Sequence, residues 1–377
     1  MRTGTANLPL HGGKCPAWLF ARMTGMIGAL IEAMVCDAGP DEVLRRLSDP
    51  FWFQALGCAL GFDWHSSGLT TTVCGALKEA LKDRAGQLGI FVAGGKGKTS
   101  RRTPDEIRDY ADRFPVAKDA GELVFASRMS AKVDNSAVQD GYQLYHHTFV
   151  FTDSGHWAVI QQGMNEVNRQ ARRYHWLGDT VEDFVCEPHQ AVCCDQRGET
   201  LNLVARESDP ARRVISELAR EKPERLVRDL TLLQEKDLLR LPARHRVELA
   251  DIHPSNLHRV LLKSYERQPE NFAALLATPG VGPKALRALS LLSELVYGTP
   301  PSYRDPARYS FAHGGKDGHP FPVDRATYDH SIAFLRRALS ESRLGRGEKL
   351  EAFKRLGRWE AALEKTTKNR SLTGNEE

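Results

Sequence analysis

Between two apolar runs, one around Phe272, Leu275 and Leu276 and one from Ala285 to Leu295, the chain reads Thr278-Pro279-Gly280-Val281-Gly282-Pro283. No other stretch limits the fold so tightly. Two glycines permit a turn too close for side chains. Val281 between them is the apolar plug that pins the turn to both flanking helices. Pro283 suits the first position of the second helix, where a missing N–H costs nothing. The turn thus ends in backbone N–H groups at a helix N-terminus, an arrangement that binds phosphate. Lys284 adds a positive charge beside it. Gly280, Val281, Gly282 and Lys284 are the residues expected to hold nucleic acid there. Such contacts grip the backbone without reading bases. The bland alternative is an ordinary turn between two core helices.

At 377 residues the chain exceeds one typical core, and two or three domains are expected. Residues 1–203 read as an α/β domain with a mixed sheet and residues 204–377 as an all-helical domain, an α+β chain overall. The net charge of +4 is too small for a global field, so any nucleic-acid surface must be a local patch. No run of about twenty apolar residues suggests a membrane span. The apolar stretch Trp18 to Val35 carries Arg22 and Glu32 and reads as a core helix rather than a signal peptide. Seven cysteines without a framework fit reduced thiols, and a cytoplasmic location is expected.

The first half opens with a helix to about Cys36 and another from Asp41 to Leu47, stopped by Asp49-Pro50. FDWHSSG then makes a polar turn in which Asp63 and His65 form a secondary candidate pair. A strand over Leu88 to Ala93 leads into Gly94-Gly95-Lys96-Gly97-Lys98-Thr99. The loop has the ending of a nucleotide-binding phosphate loop, but Val92 stands where the required upstream glycine would fall, so nucleotide hydrolysis is not expected. Lys96, Lys98, Arg101 and Arg102 remain the densest basic cluster of this half, suited to a phosphate backbone or simply to solvent. Thr103, Pro104 and Glu106 read as a capping box that starts a helix. Three strand-like runs follow, ELVFASRM, GYQLYHHTFVF and WAVIQQGM, the last two joined by a turn at Asp153-Ser154-Gly155.

Polar groups collect around these strands: Lys132, Asp134, Asp140, His146, His147, Gln161 and Gln162. Carboxylates beside imidazoles suit a divalent-metal nuclease, in which aspartate oxygens hold the metal and a histidine handles the water proton. Asp134, Asp140 and His146 are therefore the candidate ligands for Mg²⁺ or Mn²⁺. His146 or His147 is the candidate base, Lys96 and Lys98 would stabilise phosphate charge, and Gln161 and Gln162 are secondary candidates. The competing reading is a polar strand face satisfied by its sheet neighbours. In NRQARRYHW, Arg172 and Arg173 could grip phosphate while neighbouring aromatics stack on bases, or the stretch is an amphipathic helix whose aromatics are core. Cys186, His189, Cys193 and Cys194 lie close together, but adjacent cysteines rarely share one zinc ion, and buried thiols on a strand are the better expectation.

From Ala205 the pattern turns to charged helices, followed by a long loop over Gly298 to Pro322. Gly-Gly-Lys recurs at Gly12, Gly94 and Gly314, as turn chemistry rather than duplication. The tags LPLHGGKCPAWL, DPFWFQALGCALGFDWHSSGLTT, AGGKGKTSRRTP, SRMSAKVDNSAVQDGYQLYHHTFVF, WAVIQQGMN, ARRYHW, GVGPKALRALSLLSELVYG and SFAHGGKDGHPFPVDR resemble domain-of-unknown-function family seven-hundred-sixty-three over nearly all of Thr3 to Leu339. That resemblance places Asp63, His65, Lys96, Asp134, Asp140, His146, Gln161 and Gln162 inside family motifs and carries no catalytic set. The Gly-Val-Gly turn resembles the helix-hairpin-helix of DNA repair proteins. Through PFPVDR it also partly resembles the helix-hairpin-helix DNA glycosylases, which would make Asp324 catalytic rather than a helix N-cap. The function expected from these readings is a metal-dependent nuclease acting on single-stranded or branched DNA in repair or recombination. The alternatives are a non-catalytic DNA-binding repair factor and a glycosylase or lyase. The partners expected are DNA, a second copy of the chain as a homodimer, and a repair helicase.

Overall fold

Runs rich in aromatic and β-branched residues, joined by short polar turns, build the centre of a sheet: β4 (Gln143–Thr152), β5 (Trp157–Asn165) and β6 (Gln170–Leu177). The computed structural model describes residues 4–5, 15–62, 67–194, 196–235, 254–307, 309–310, 325–342 and 344–358. The other strands of this seven-stranded sheet are β1 (Gly4–Thr5), β2 (Ile90–Lys96), β7 (Ala191–Cys193) and β9 (Tyr309–Ser310), in the order β1-β9-β7-β6-β5-β4-β2. Pairing is antiparallel from β2 through β7 and parallel where β9 joins β7 and β1. A separate pair joins β3 (Val138–Gln139) to β8 (Leu201–Asn202). Asp153-Ser154-Gly155 is the turn between β4 and β5, as expected from the sequence.

Both faces of this sheet are buried. On one lie helices α1 (Ala17–Ala38), α2 (Pro40–Ser48), α3 (Pro50–Ala59) and α4 (Gly68–Leu81), with α5 (Ala85–Leu88) leading into β2. Their apolar side chains share a cluster with Ile90, Val92, Val150, Ala158, Ile160 and Leu177. On the other lie α6 (Thr103–Arg113), α7 (Ala120–Lys132), α8 (Asp209–Leu218), α9 (Pro223–Glu235), α10 (Pro254–Arg267), α11 (Phe272–Ala277) and α12 (Pro283–Leu295). They share a cluster with Phe91, Phe149, Phe151, Val159, Tyr174 and Trp176. Helix α13 (Arg325–Glu341) and helical residues 346–358 return to the first face through Leu335, Leu339, Ala352 and Leu356. The chain is thus α+β, a sheet between two helical layers. The second cluster runs without a break from Leu203 and Val204 into Ile215 and Leu292, and β9 adds a strand from beyond residue 300 to the same sheet.

Two elements differ from expectation. ELVFASRM is helical, within α7. Asp119 starts that helix by accepting from the N–H groups of Gly121 (2.8 Å) and Glu122 (3.3 Å), a cap that outweighs the β-like composition of Leu-Val-Phe. Conversely, Gln170–Leu177 is strand, because its arginines and aromatics are buried on both sides. Thr103 and Glu106 do not form a capping box: the Thr103 hydroxyl donates to the Ser100 carbonyl, and Glu106 turns back to the sheet. Helix α1 has the length and apolarity of a membrane span, yet Met23, Ile27, Leu30, Ile31 and Met34 on it are core residues. Directly after α7 the helix widens into a π turn, Val133–Ala137, which carries Asp134 into the interior.

Phe151 is fully buried, with ring centroids 5.0 Å from Phe91 and 6.0 Å from Phe149. Phe151→Ala is expected to cost about 3–5 kcal/mol of folding stability. Val167→Ser, at a position 83% exposed, should stay within about 0.5 kcal/mol of the parent. Urea unfolding of the two variants measures both.

Candidate functional site

The register of the sheet sorts the polar candidates onto opposite faces. His147 pairs with Gln161 and Gln161 with Tyr174, so these side chains share the face covered by α7. His146 pairs with Gln162 and Gln162 with Arg173, which places them on the face covered by α3 and α4. A bulge between Leu144 and His146 offsets the alternation, so that Tyr142 joins the first face and the Tyr145 hydroxyl reaches Gln162 on the second.

On the first face Asp134 is the hub. Its Oδ2 accepts from the Gln161 amide (2.6 Å) and the Trp176 indole (2.9 Å), and its Oδ1 meets His189 Nε2. Because the Gln161 nitrogen is committed to Asp134, its Oε1 accepts from His147 Nδ1 at 2.9 Å. His147 Nε2 is then left to accept from the Ser127 hydroxyl, also at 2.9 Å. Ser127, His147, Gln161 and Asp134 are all 6% exposed or less. Burial pushes the Asp134 carboxyl above the usual range, against the pull of His189 and Trp176. Burial also lowers the His147 pKa to about 4.

Asp140 stands in a second set on the same face. Its Oδ2 accepts from Arg172 (2.9 Å) and the Tyr174 hydroxyl (2.6 Å), and its Oδ1 accepts from the Tyr142 N–H (2.9 Å). Arg172 also reaches Asp305 at 2.8 Å and lies over the Tyr142 ring. The guanidinium therefore clamps β6 to the segment after α12.

On the opposite face Arg173, fully buried, donates to Gln54, Thr70 and His175 and lies over the Phe53 ring. Gln162 accepts from Thr70 (2.5 Å) and donates to the Ser67 carbonyl (2.8 Å) and the Tyr145 hydroxyl. His146 Nε2 meets the Thr148 hydroxyl at 3.0 Å, while its Nδ1 has no partner among the described residues. Burial, with His147 and Lys96 nearby, lowers the His146 pKa to about 3.

These positions correct several expectations. Asp134, Asp140 and His146 do not converge, because the sheet separates His146 from both carboxylates, and each carboxylate is spent on buried donors. That arrangement does not fit Mg²⁺ or Mn²⁺. Burial of both imidazoles favours their neutral forms. Arg172 and Arg173 are 1% and 0% exposed and cannot meet a phosphate backbone. Cys193 hydrogen-bonds Arg173 on one face and Cys194 meets Tyr142 on the other, with His189 held by Asp134, so no common zinc ion is served. Among the described residues no group of three or more His, Cys, Asp or Glu could hold a metal ion. Asp63, His65 and Asp324 lie outside the described residues, as do the Gly12 and Gly314 turns.

Two candidate regions do face solvent. Lys96, Lys98, Arg101 and Arg102 are exposed around the turn Gly97–Arg102. The base of that turn is fixed by Glu106, which accepts from the Gly94 N–H (2.7 Å) and Lys78 (2.6 Å). Gly94 has φ +88°, and a Cβ there would sit 2.2 Å from the His147 carbonyl oxygen, so only glycine fits. The second region is the turn between α11 and α12. Val281 is 3% exposed and belongs to the core, whereas Gly280 and Lys284 are exposed and Gly282 half-buried. A Cβ on Gly280 or Gly282 would meet nothing within 4 Å. Gly280 has φ +94° and Gly282 is extended, and the first bond of α12 runs from the Leu286 N–H to the Gly282 carbonyl.

Tyr174, Trp176 and His189 were not singled out from the sequence as partners of the two aspartates, nor Ser127 as the partner of His147. The signals were weak: Ser127 stood in a run read as strand, and the aromatics of Asn168 to Trp176 were read as either base stackers or core. Removing the carboxyl leaves the buried Gln161 and Trp176 donors without an acceptor, so Asp134→Ala is expected to cost about 1–3 kcal/mol, read from the urea midpoint. An unchanged midpoint would contradict its role as a structural hub. His147, with its pKa held below 6.5, is protonated first in the unfolded chain. Stability is therefore fully present above pH 6.5 and falls as pH drops toward 4. Unfolding measured across that window should be less steep in His147→Gln.

A family model described as Protein of unknown function (DUF763) matches residues 4–323. Comparison with curated proteins and with solved structures finds no match. The family match spans well over half of the chain, which therefore belongs to the DUF763 family.

Proposed function

We propose that this chain is a DNA-binding protein that grips the sugar–phosphate backbone through the α11–α12 turn, independently of base sequence. The observation that carries this reading is the combination at Gly280-Val281-Gly282. The valine is buried in the core while both flanking glycines have open space over them. A turn anchored from beneath and bare on top lets a phosphate reach the backbone amides. The leading N–H groups of α12 have no acceptor within the helix, and its dipole favours an anion there. Lys284 is exposed at the same end, and the Lys96–Arg102 turn offers a second basic patch. Contacts of this kind position a strand and carry no sequence information.

The nuclease alternative draws less support, since the carboxylates it would use are consumed in buried hydrogen bonds. Non-catalytic binding to single-stranded or branched DNA in repair or recombination is the reading favoured.

Fluorescence anisotropy with labelled single-stranded, forked and duplex DNA at low ionic strength tests it. The wild-type protein should bind with an affinity that falls steeply with salt. Gly282→Glu should fold normally, because its backbone is extended and its Cβ space is open. It should lose at least about tenfold in affinity, about 1.4 kcal/mol. Absence of wild-type binding, or an unaltered Gly282→Glu variant, would defeat the reading. Chelator-sensitive strand cleavage in the same incubations would favour the nuclease instead.

A further inference from the structure

Lys132, the last residue of α7, lies far in sequence from the α11–α12 turn yet reaches into it. Its Nζ donates to the carbonyl oxygens of Leu276 (2.7 Å), Thr278 (2.9 Å) and Val281 (2.9 Å). An ammonium group has three N–H donors and no acceptor, so the three carbonyls match the charged form completely. Two of those oxygens belong to the end of α11, where final carbonyls lack helical partners and the dipole is negative. Burial lowers the Lys132 pKa to about 8, which leaves the group mainly charged at neutral pH.

The third carbonyl matters most. A peptide unit is planar and trans, so the C=O of Val281 and the N–H of Gly282 point in opposite directions. Drawing the Val281 oxygen inward onto Lys132 turns the Gly282 N–H outward, toward the open side of the turn.

We infer that Lys132 is the positioning residue of the backbone-gripping turn, an internal cation that fixes the direction of its amides without touching the ligand. The inference rests on the DNA-binding reading of that turn. It predicts that a free cation can replace the side chain when the side chain is removed.

The test uses the full chain as wild type, Lys132→Met and Lys132→Ala. Anisotropy with a labelled single-stranded oligonucleotide is read alongside hydrogen–deuterium exchange. Lys132→Met keeps the apolar stem without the charge. It should lose at least about tenfold in affinity, with faster exchange confined to the Thr278–Leu286 region. Lys132→Ala should recover affinity when potassium or ammonium replaces tetramethylammonium at constant ionic strength, and the wild type should not respond. Unchanged binding and exchange in Lys132→Met would overturn the inference. So would exchange that rises uniformly over the chain, since Lys132 would then be a stability residue only. If the wild type binds no DNA, the functional reading fails, and exchange still decides the turn: local acceleration supports the positioning role, and no change overturns it.

Discussion

A carboxylate taken wholly out of water must be met by donors, and the interior of this protein is arranged around that demand. Asp134 receives the Gln161 amide, the Trp176 indole and His189, and through them the π turn after α7 is tied to β5, β6 and the segment before β7. Asp140 receives Arg172 and Tyr174, and Arg172 passes the link on to Asp305. Each unmade bond in such a network would leave a desolvated polar group, so the networks fix register more strictly than apolar packing alone. The sheet can be covered on both faces because nearly all of its polar side chains find partners there.

The same arrangement explains which parts of the molecule were legible in the sequence. The α11–α12 turn was, since glycine, proline and a buried valine act locally and leave a local pattern. The β4–β5 hairpin was legible for the same reason, and so was the mixed α+β character. Gln170–Leu177 was not: a strand buried on both faces shows no polar–apolar alternation, and its arginines imitate a surface patch. The aspartates and histidines were recognised as a set, but the set belongs to two faces of one sheet. Nothing in the linear spacing reveals a bulge at Leu144–His146 or a π turn that swings Asp134 inward. Residues that chemistry would recruit for catalysis are, in this fold, the residues that hold the core together.

In the proposed reading, function lies at the periphery of the sheet rather than within it. The turn at Gly280–Gly282 is bound to the sheet-proximal elements twice over. Lys132 holds its carbonyls from the end of α7, and Gln139 donates to the Pro283 carbonyl while accepting from Arg287 on α12. On the proposed reading, pre-organisation of this kind would lower the ordering cost of binding a phosphate. The exposed turn is thus tied by hydrogen bonds to the residues that flank the buried polar networks.

The most direct measurement is amide-resolved NMR of the protein titrated with a short oligonucleotide. The amides of Gly280, Gly282 and Lys284 should shift first and furthest, followed by the Lys96–Arg102 turn, with Gln161 and Trp176 side-chain signals unmoved. Shifts that bypass the turn and appear instead around Asp134, His147 and Gln161 would contradict the placement of function at the periphery.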